Sequence, residues 1–217
     1  MKTTRLTAYK ETFFLAHAGS FSLLFAILIV FSYFLIDRPL AYFFSQHPFA
    51  TSFSKIIATV FHPNYAVLLT PVLFYCIRFL WKKKEWGNIL LFFMLSIVVA
   101  NCLDFLLKYM IGRDRPFLLF TQDLYGFTPF SSQNVRNSFP SGHATTISAI
   151  FFSLACLRPK ESWVYLGVTF LLCFTRVILT AHFLSDILGG MWLGMLISQF
   201  IYVTMREEHY SFKARFK

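Results

Sequence analysis

The chain of 217 residues is far more apolar than a soluble domain. Hydrophobic residues make up 57% of it and aromatic residues 20%, whereas charged residues make up only 14%. Soluble globular domains carry about 25% charged residues, so the composition excludes an ordinary soluble protein and indicates a membrane protein. The net charge of +10 does not call for a nucleic-acid partner, because membrane topology and an anion site, both argued below, account for most of it.

Six long apolar stretches follow one another along the chain, most of them near the ~20 residues that a helix needs to cross a bilayer. They cover residues 13–36, 65–81, 88–107, 144–157, 163–181 and 183–204. We therefore predict an all-α integral membrane protein, a bundle of six transmembrane helices that forms a single domain over residues 1–217. Both termini then lie on one side. The fourth stretch is the shortest and must include polar residues ahead of it in order to span.

The first apolar stretch has two interpretations. Three basic residues ahead of it resemble the start of a cleaved signal peptide. However, the apolar run ends in the sequence DRP, without a small-residue cleavage pattern, which favours a retained membrane anchor. The connection that follows, residues 37–64, is aromatic with few charges, which is typical of a segment in the membrane interface.

The positions of Lys and Arg predict the orientation in the membrane. If six spans are right, one side holds thirteen of them: Lys2, Arg5, Lys10, Arg78, Lys82, Lys83, Lys84, Arg158, Lys160, Arg206, Lys213, Arg215 and Lys217. The other side holds seven: Arg38, Lys55, Lys108, Arg113, Arg115, Arg136 and Arg176. By the positive-inside rule the first side is cytoplasmic, so we expect both termini in the cytoplasm.

The cysteines do not indicate a disulfide or a metal site. Cys76, Cys102, Cys156 and Cys173 all lie inside predicted spans, where cysteine is ordinarily a small apolar residue. The sequence contains no CxxC, no HExxH and no acidic cluster suited to a divalent ion. We therefore expect no metal.

The first group of charged residues that is costly in a bilayer is KYMIGRDRP at 108–116. Lys108 and Arg115 are seven residues apart, or two helical turns, and would share a face if the third span continued through them. Pro116 then ends that helix. We interpret Arg113 as a side chain that reaches from the end of the span to the interface, a common position for arginine.

The second group is SFPSGH at 138–143, directly before the fourth span. Ser141 is a suitable N-cap, and Gly142 permits close approach to the backbone. Because a helix start offers N–H groups without internal partners and the positive end of the dipole, it can bind an anion. His143 could reach that anion. The alternative is a capped helix with a histidine in the membrane interface.

The third group is TRVILTAHFLSD at 175–186. His182 and Asp186 are four residues apart at the start of the sixth span, the spacing at which a carboxylate can hold an imidazole by one nitrogen. That arrangement makes the other nitrogen a better nucleophile or base. Arg176 lies across the short turn. A His-Asp pair of this kind can also be purely structural.

All three groups fall on the same outer side of the predicted bundle. Three cations, a helix start and two histidines would therefore meet there. Such a set suits a phosphate, whose spread charge is best held by donors from several directions.

These residues resemble the three-part signature of the type 2 phosphatidate phosphatase superfamily, which also includes vanadium-dependent haloperoxidases. The match consists of Lys108 with Arg115-Pro116, then Pro140-Ser141-Gly142-His143, then Arg176, His182 and Asp186. It spans about residues 108–186, and the flanking spans fit the six-helix membrane branch of the family. Thr175 departs from the serine that is common there, and we expect little consequence because threonine keeps the hydroxyl.

The resemblance implies a lipid phosphatase that needs no metal or other cofactor. His182 would attack phosphorus to form a phosphohistidine, Asp186 would orient it, and His143 would protonate the leaving oxygen and then activate water. The phosphoryl oxygens would be held by Lys108, Arg115, Ser141, Gly142 and Arg176. Fixed cations would then neutralise the charge that Mg²⁺ neutralises elsewhere.

The location of the site predicts the class of substrate. A pocket where spans meet the outer headgroup layer can take a phosphate whose alkyl chains stay in lipid. We expect an envelope-lipid phosphate in the outer leaflet of a bacterial inner membrane, and the family offers undecaprenyl diphosphate, phosphatidylglycerophosphate, phosphatidate and lipid A. The sequence does not choose among them, nor does it predict the oligomeric state. The alternatives are a phosphotransferase that uses the same intermediate and a non-enzymatic lipid carrier; a haloperoxidase is disfavoured because that branch is soluble.

Overall fold

Eight α-helices and two short 3₁₀ helices, Asn134–Arg136 and Pro159–Glu161, lie in residues 17–47, 51–60 and 62–215, the part of the chain that the computed structural model describes. The α-helices are numbered in chain order. They are α1 (Ala18–Gln46), α2 (Thr51–Val60), α3 (Pro63–Tyr75), α4 (Lys84–Ile111), α5 (Pro116–Gln122), α6 (Gly142–Leu157), α7 (Ser162–Ile178) and α8 (Leu184–Arg215). A π-helical turn, Ser32–Ile36, lies inside α1, and a second one, Cys76–Leu80, continues α3. Within these residues the only β-structure is an isolated bridge between Arg113 and Phe127.

Each of the six predicted apolar stretches forms a helix, apart from residues 13–16, which lie outside the described residues. Five segments are long and apolar enough to cross a membrane: Ala18–Gln46, Thr51–Leu80, Glu85–Ile111, Pro159–Ile178 and Leu184–Arg206. The second of these combines α2 and α3 with Phe61, which lies outside the described residues. The stretch predicted to be weakest is the exception, since α6 has only 16 residues. An all-α integral membrane protein is thereby confirmed, while the count of six crossings stays a prediction.

The predicted orientation is not tested by the structure. Four of the basic residues on which it rests, Lys2, Arg5, Lys10 and Lys217, lie outside the described residues. The choice between a signal peptide and a retained anchor depends on the same segment and also stays a prediction.

Helix α8 lies at the centre of the bundle, where it packs against α1, α4, α6 and α7. Its contact with α6 is close because glycines face that helix. A Cβ added at Gly190 would lie 2.6 Å from the Ser141 carbonyl oxygen, and one added at Gly194 would lie 2.6 Å from that of Thr145. Small residues at a spacing of four let membrane helices approach in this way. The start of α6 is therefore held directly against the start of α8.

Hydroxyl groups link the same two helices further along. Ser148 of α6 donates to the carbonyl oxygen of Met191 at 2.6 Å, and Ser198 of α8 donates to that of Ala149 at 3.0 Å. All four residues are buried. In an apolar surrounding, such bonds satisfy polar groups that would otherwise be costly.

The segment 112–141 covers one end of the bundle and joins two of the sequence motifs. It begins at Gly112, whose φ of 60° ends α4 in the left-handed region and whose Cβ, if present, would overlap the Thr128 carbonyl at 1.7 Å. Backbone bonds then tie the segment together: the Ser138 N–H donates to the Arg113 carbonyl, and the Ser141 N–H to that of Asp186, both at 3.0 Å. The three motifs are thus fixed to one another through the main chain.

The outer connection after the first span is helical. One side of α2 packs on α7 and buries Ala58, whereas Phe53, Ile56 and Val60 remain more than half exposed. This amphipathic pattern is what a helix at a membrane interface requires, although the interface location itself stays a prediction.

Candidate active site

The residues singled out in the sequence meet at the end of the bundle that segment 112–141 covers. Helix α4 contributes Lys108 in its last turn, α7 contributes Arg176 in its last turn, and α8 contributes Asp186 in its first turn. Arg115 immediately precedes α5, and His182 lies in the turn before α8. We call Lys108, Arg115, Ser141, Gly142 and Arg176 the cradle.

The three cations of the cradle are close enough together to interact electrostatically. Arg115 interacts with Arg176 and with Lys108. Both arginines also act on His182, and His182 in turn lies within range of His143. The structure therefore brings together every predicted site residue, while their chemical roles stay predictions.

Lys108 is held in a fixed position. Its Nζ donates to Oδ2 of Asp104, one helical turn earlier, at 2.5 Å, and also to the carbonyl oxygen of Pro140. Thr145 donates to the other carboxylate oxygen of Asp104 at 3.1 Å. A Cβ at Gly142 would lie only 3.2 Å from that carboxylate, so glycine allows the start of α6 to approach this ion pair.

Ser141 occupies the predicted N-cap position of α6, yet its side chain makes no capping hydrogen bond. Its Oγ is buried and has no hydrogen-bond partner among the described residues. The first turn of α6 also presents N–H groups that have no partner within the helix. These donors and the positive end of the helix dipole are therefore available to an anion.

Arg115 and Arg176 carry charges that no carboxylate balances. Neither is within ion-pair distance of an acidic side chain in the described part of the chain, and the Nε atoms of both are buried without a partner there. Burial lowers the pKa of Arg115, and Asp186 only partly offsets this. Uncompensated buried cations are costly, so the cradle is electrostatically suited to an anion with two negative charges.

His182 is oriented by its Nδ1. This atom lies 3.0 Å from the carbonyl oxygen of Ser138 and 3.6 Å from Oδ2 of Asp186. Since both neighbours are acceptors, Nδ1 carries the hydrogen and Nε2 keeps a free lone pair. Burial lowers the pKa of His182 to about 4, with Arg115 and Arg176 acting in the same direction against Asp186. The imidazole is therefore neutral at pH 7.

Asp186 is fully surrounded by donors. Its Oδ2 accepts from Ser138 Oγ at 2.6 Å and from the N–H of Phe183 at 2.8 Å, and its Oδ1 accepts from Arg113 Nη1 at 2.5 Å. The bond to Phe183 caps α8 in the manner of an acidic residue in a first helical turn. The orientation of this carboxylate is thereby fixed.

The interpretation of Arg113 as an interfacial side chain is wrong. Arg113 is only 2% exposed and donates to Asp37 Oδ2 at 2.7 Å as well as to Asp186. Four aromatic rings lie within 6 Å of its guanidinium carbon, the nearest being Phe183 at 4.8 Å. Two carboxylates and an aromatic shell stabilise the buried cation better than the interface would.

His143 faces the outer connection. Its Nε2 lies 3.1 Å from the carbonyl oxygen of Ala58, near the end of α2, and its ring meets that of His62 edge to face at 5.1 Å. A carbonyl oxygen at the C-terminal end of a helix favours a positively charged partner. The structure thus provides an acceptor that can hold His143 by one nitrogen.

Four residues of this site escaped the sequence analysis: Asp37, Asp104, Ser138 and Ala58. Asp104 had a detectable signal, because an acid four residues before Lys108 in an apolar helix predicts a pair. Ser138 lay inside the second motif but without an assigned role. Asp37 and Ala58 carry no local signal, since their partners are distant in the chain.

Thr175, the departure from the family pattern, turns its hydroxyl back to the Leu172 carbonyl at 2.6 Å. Within the described residues no three His, Cys, Asp or Glu side chains are placed to hold a metal ion. The expectation of a metal-free reaction nevertheless remains a prediction.

Comparison with known proteins gives concordant matches. The model of the PAP2 superfamily matches residues 89–210. A lipid A 1-phosphatase of Rhizobium johnstonii is 37% identical over 114 residues, which are 52% of this chain and 46% of that protein. A lipid A 4'-phosphatase of Porphyromonas gingivalis is 26% identical over 168 residues, which are 72% of this chain and 66% of that protein. The chain therefore spans less than half of the length of the first relative and just under two thirds of the second.

The fold also resembles a solved structure. A transmembrane PAP2-type phosphatidylglycerolphosphate phosphatase from Bacillus subtilis aligns with 88% of this chain and 96% of its own, with a TM-score of 0.55. The two sequences are 20% identical, so this likeness concerns the fold alone.

Proposed function

Since the chain belongs to the PAP2 superfamily, the family that its three motifs predicted, we propose that it is a membrane lipid phosphatase that acts through a phosphohistidine at His182. The observation that carries the proposal is that the neutral imidazole of His182 shares its site with polar groups that have no hydrogen-bond partner among the described residues. Ser141 Oγ, Arg115 Nε and Arg176 Nε are all buried without a partner among the described residues. A phosphate monoester dianion would satisfy all of them and balance both charges.

The first chemical step follows from the free lone pair on Nε2 of His182. This lone pair attacks phosphorus, the bond between phosphorus and the leaving oxygen breaks, and the leaving oxygen takes a proton from His143. The cradle holds the three remaining phosphoryl oxygens, where their charge is greatest. The imidazole becomes cationic in this step, and Ser138 and Asp186 stabilise the positive ring through its Nδ1–H.

The second step reverses these roles. His143, now without its second proton, removes a proton from water, and the oxygen of that water attacks the phosphorus of the phosphohistidine. The bond from phosphorus to Nε2 breaks, its electron pair returns to the imidazole, and inorganic phosphate leaves. The Ala58 carbonyl holds Nε2–H of His143 throughout, so that the proton exchanged is the one on Nδ1.

Among envelope lipids we propose a lipid A phosphate as the substrate. Both relatives described above are named for lipid A phosphatases. A saccharide headgroup also projects its phosphate from the acyl chains into the headgroup layer, where a cradle at the end of a helical bundle would meet it. Undecaprenyl diphosphate, phosphatidylglycerophosphate and phosphatidate are the competing substrates.

The experiment measures phosphate release in detergent from these four lipids, with mass spectrometry to show which phosphate of lipid A is removed. Wild-type protein should release phosphate from lipid A fastest, and His182→Ala should release none. His47→Ala is the matched control, because His47 is exposed and bonds only the Phe43 carbonyl of its own helix at 3.0 Å. It should behave as wild type.

Two outcomes contradict the proposal. One is the absence of phosphate release by wild-type protein from every lipid, as expected of a lipid carrier. The other is activity of His182→Ala equal to that of His47→Ala, which would exclude the phosphohistidine. If labelled phosphate moves to a second lipid instead of to water, the protein is a phosphotransferase.

We further propose that the cradle faces the extracytoplasmic side. In a variant without its native cysteines, Gln133→Cys would report on segment 112–141, and Lys160→Cys would report on the connection between α6 and α7; both positions are exposed. A membrane-impermeant maleimide should label Gln133→Cys in intact spheroplasts and should label Lys160→Cys only after lysis. The reverse pattern would place the site in the cytoplasm.

A further inference from the structure

Arg113 divides its charge between two carboxylates from opposite ends of the chain. Nη1 donates to Asp186 at 2.5 Å and Nη2 donates to Asp37 at 2.7 Å. All three side chains are at most 2% exposed. We call Asp37, Arg113, Tyr125, Ser185 and Asp186 the rear cluster, because it meets His182 at Nδ1 and not at Nε2, the nitrogen that would attack phosphorus.

Hydrogen-bond donors surround both carboxylate oxygens of Asp37. Its Oδ1 accepts from Ser32 Oγ at 2.7 Å and from the Ser185 N–H at 3.0 Å. Its Oδ2 accepts from Arg113, from Ser185 Oγ and, at 3.2 Å, from Tyr125. These five donors fix the position of the Asp37 carboxylate.

The charges of the rear cluster do not balance by themselves. Two carboxylates face one guanidinium, which leaves one negative charge beside an imidazole that is neutral before the reaction. His182 becomes positive when Nε2 bonds to phosphorus, and the remaining negative charge then lies beside a cation. With Asp37 absent, Arg113 would pair with Asp186 alone, and less of the negative charge of Asp186 would be left to stabilise the cationic imidazole.

We propose that Asp37 is a positioning residue for the phosphohistidine step: by taking part of the charge of Arg113, it leaves Asp186 negative toward His182. This inference rests on the proposed function. Asp37 lies on α1, outside the residues 89–210 that match the family model, and no motif of the sequence assigns it. It acts through Asp186 and does not touch the substrate.

The first test is Asp37→Asn, which keeps the shape and removes the charge. We expect kcat to fall about 10- to 100-fold, the size of effect seen when the carboxylate behind a metal-bound imidazole is removed. KM should stay within about twofold, because the cradle is unchanged and the loss concerns only a charge that develops in the transition state. Rapid-quench formation of labelled phosphohistidine should slow by the same factor as kcat.

The matched control is Asp123→Asn. Asp123 pairs with Arg38 at 3.3 Å and its side chain is 78% exposed, so this change also removes one carboxylate from a pair involving α1. We expect wild-type kcat. Equal kcat for Asp37→Asn and Asp123→Asn would overturn the inference.

A double variant separates an electrostatic role from a structural one. Arg113→Gln added to Asp37→Asn removes the cation that would otherwise be balanced by Asp186 alone, so phosphohistidine formation should become faster than in Asp37→Asn. If Asp37 only anchors α1, the two losses should add and the double variant should be slower. Slower formation overturns the inference.

The double variant also tests the inference if the single variant Asp37→Asn does not fold. Removing both members of a buried ion pair is often tolerated when removing one is not. We then expect the double variant to fold with kcat within about tenfold of wild type, whereas a loss greater than about a thousandfold overturns the inference. Failure of the proposed function can be distinguished from failure of this inference. It would be seen as no phosphate release by wild-type protein, or as phosphate release by His182→Ala.

Discussion

The cradle and the rear cluster both act on His182 and differ in how completely their polar groups are paired. In the rear cluster every carboxylate oxygen of Asp37 and Asp186 accepts hydrogen bonds. In the cradle, Ser141, Arg115 and Arg176 each keep a buried polar atom without a partner among the described residues. Paired polar groups fix the geometry of a site. Unpaired polar groups raise the free energy of the empty site, and this free energy decreases when an anion binds to them.

This difference separates stability from activity. Changes in the rear cluster should harm both, because they leave a buried charge or acceptor without its partner. Changes at Ser141, Arg115 and Arg176 should chiefly reduce activity, because the unpartnered atoms of these side chains contribute little to the folded state until substrate binds. The following predictions test that separation.

The largest effect is expected for Asp186→Asn. The amide cannot carry the negative charge that stabilises a cationic His182, so kcat should fall on the order of 10⁴-fold, as in other carboxylate-imidazole pairs. Steady-state phosphate release checks this. If Asp186→Asn instead kept kcat within about tenfold of wild type, this role of Asp186 would be contradicted.

The next effect is on stability. Arg113→Met leaves Asp37 and Asp186 buried without their cation and should lower the free energy of unfolding by about 3–5 kcal/mol. Thermal denaturation in detergent checks this. Arg38→Met is the control, since the Arg38 side chain is half exposed and exposed pairs contribute about 0–1 kcal/mol. Equal shifts for the two variants would contradict the burial argument.

The third prediction concerns pH. The ordinary histidine pKa near 6.5 is lowered by burial to about 4 for His182, so the unfolded chain binds more protons than the folded one between these values. The stability due to the neutral imidazole is therefore complete above pH 6.5 and decreases as the pH falls toward 4, by up to about 3 kcal/mol. His182→Asn should make denaturation temperature less dependent on pH in this window, and His47→Asn should not.

The smallest effect is expected for Ser141→Ala. Loss of one hydrogen bond to a charged oxygen should reduce kcat/KM about 10- to 100-fold. Stability should not decrease, because the hydroxyl is buried without a partner among the described residues. Ser148→Ala is the matched control on the same helix: its hydroxyl donates to the Met191 carbonyl, so that variant should lose about 1 kcal/mol of stability and keep its activity.

The sequence was sufficient to predict features that depend on local pattern. Apolar runs of span length place the helices, and cations with a helix start, Ser141 and Gly142, predict an anion site without knowledge of the fold. The family expected from these motifs is confirmed. Even the marginal length of the fourth stretch was apparent, since α6 is the apolar helix too short to count among the candidate spans.

Features that depend on distant pairing could not be predicted. Arg113 was assigned to the interface because arginine at the end of a span commonly reaches there, whereas its partner Asp37 lies 76 residues away. The acceptor closest to His182 Nδ1 is the backbone carbonyl of Ser138, and a backbone group leaves no trace in residue type. The cost of burying a charge depends on what surrounds it, and those surroundings exist only after folding.

The π turn at Ser32–Ile36 in α1 has a consequence for how the chain tolerates insertions and deletions. An α-helix advances about 100° per residue, and a π turn holds one more residue than an α turn. Removing one residue from this turn would restore regular α-helical winding. It would also rotate the part of α1 before the turn by about 100° around the helix axis relative to the part that begins at Asp37. The first helix therefore tolerates substitutions at its lipid-facing positions more readily than a change of a single residue in its length.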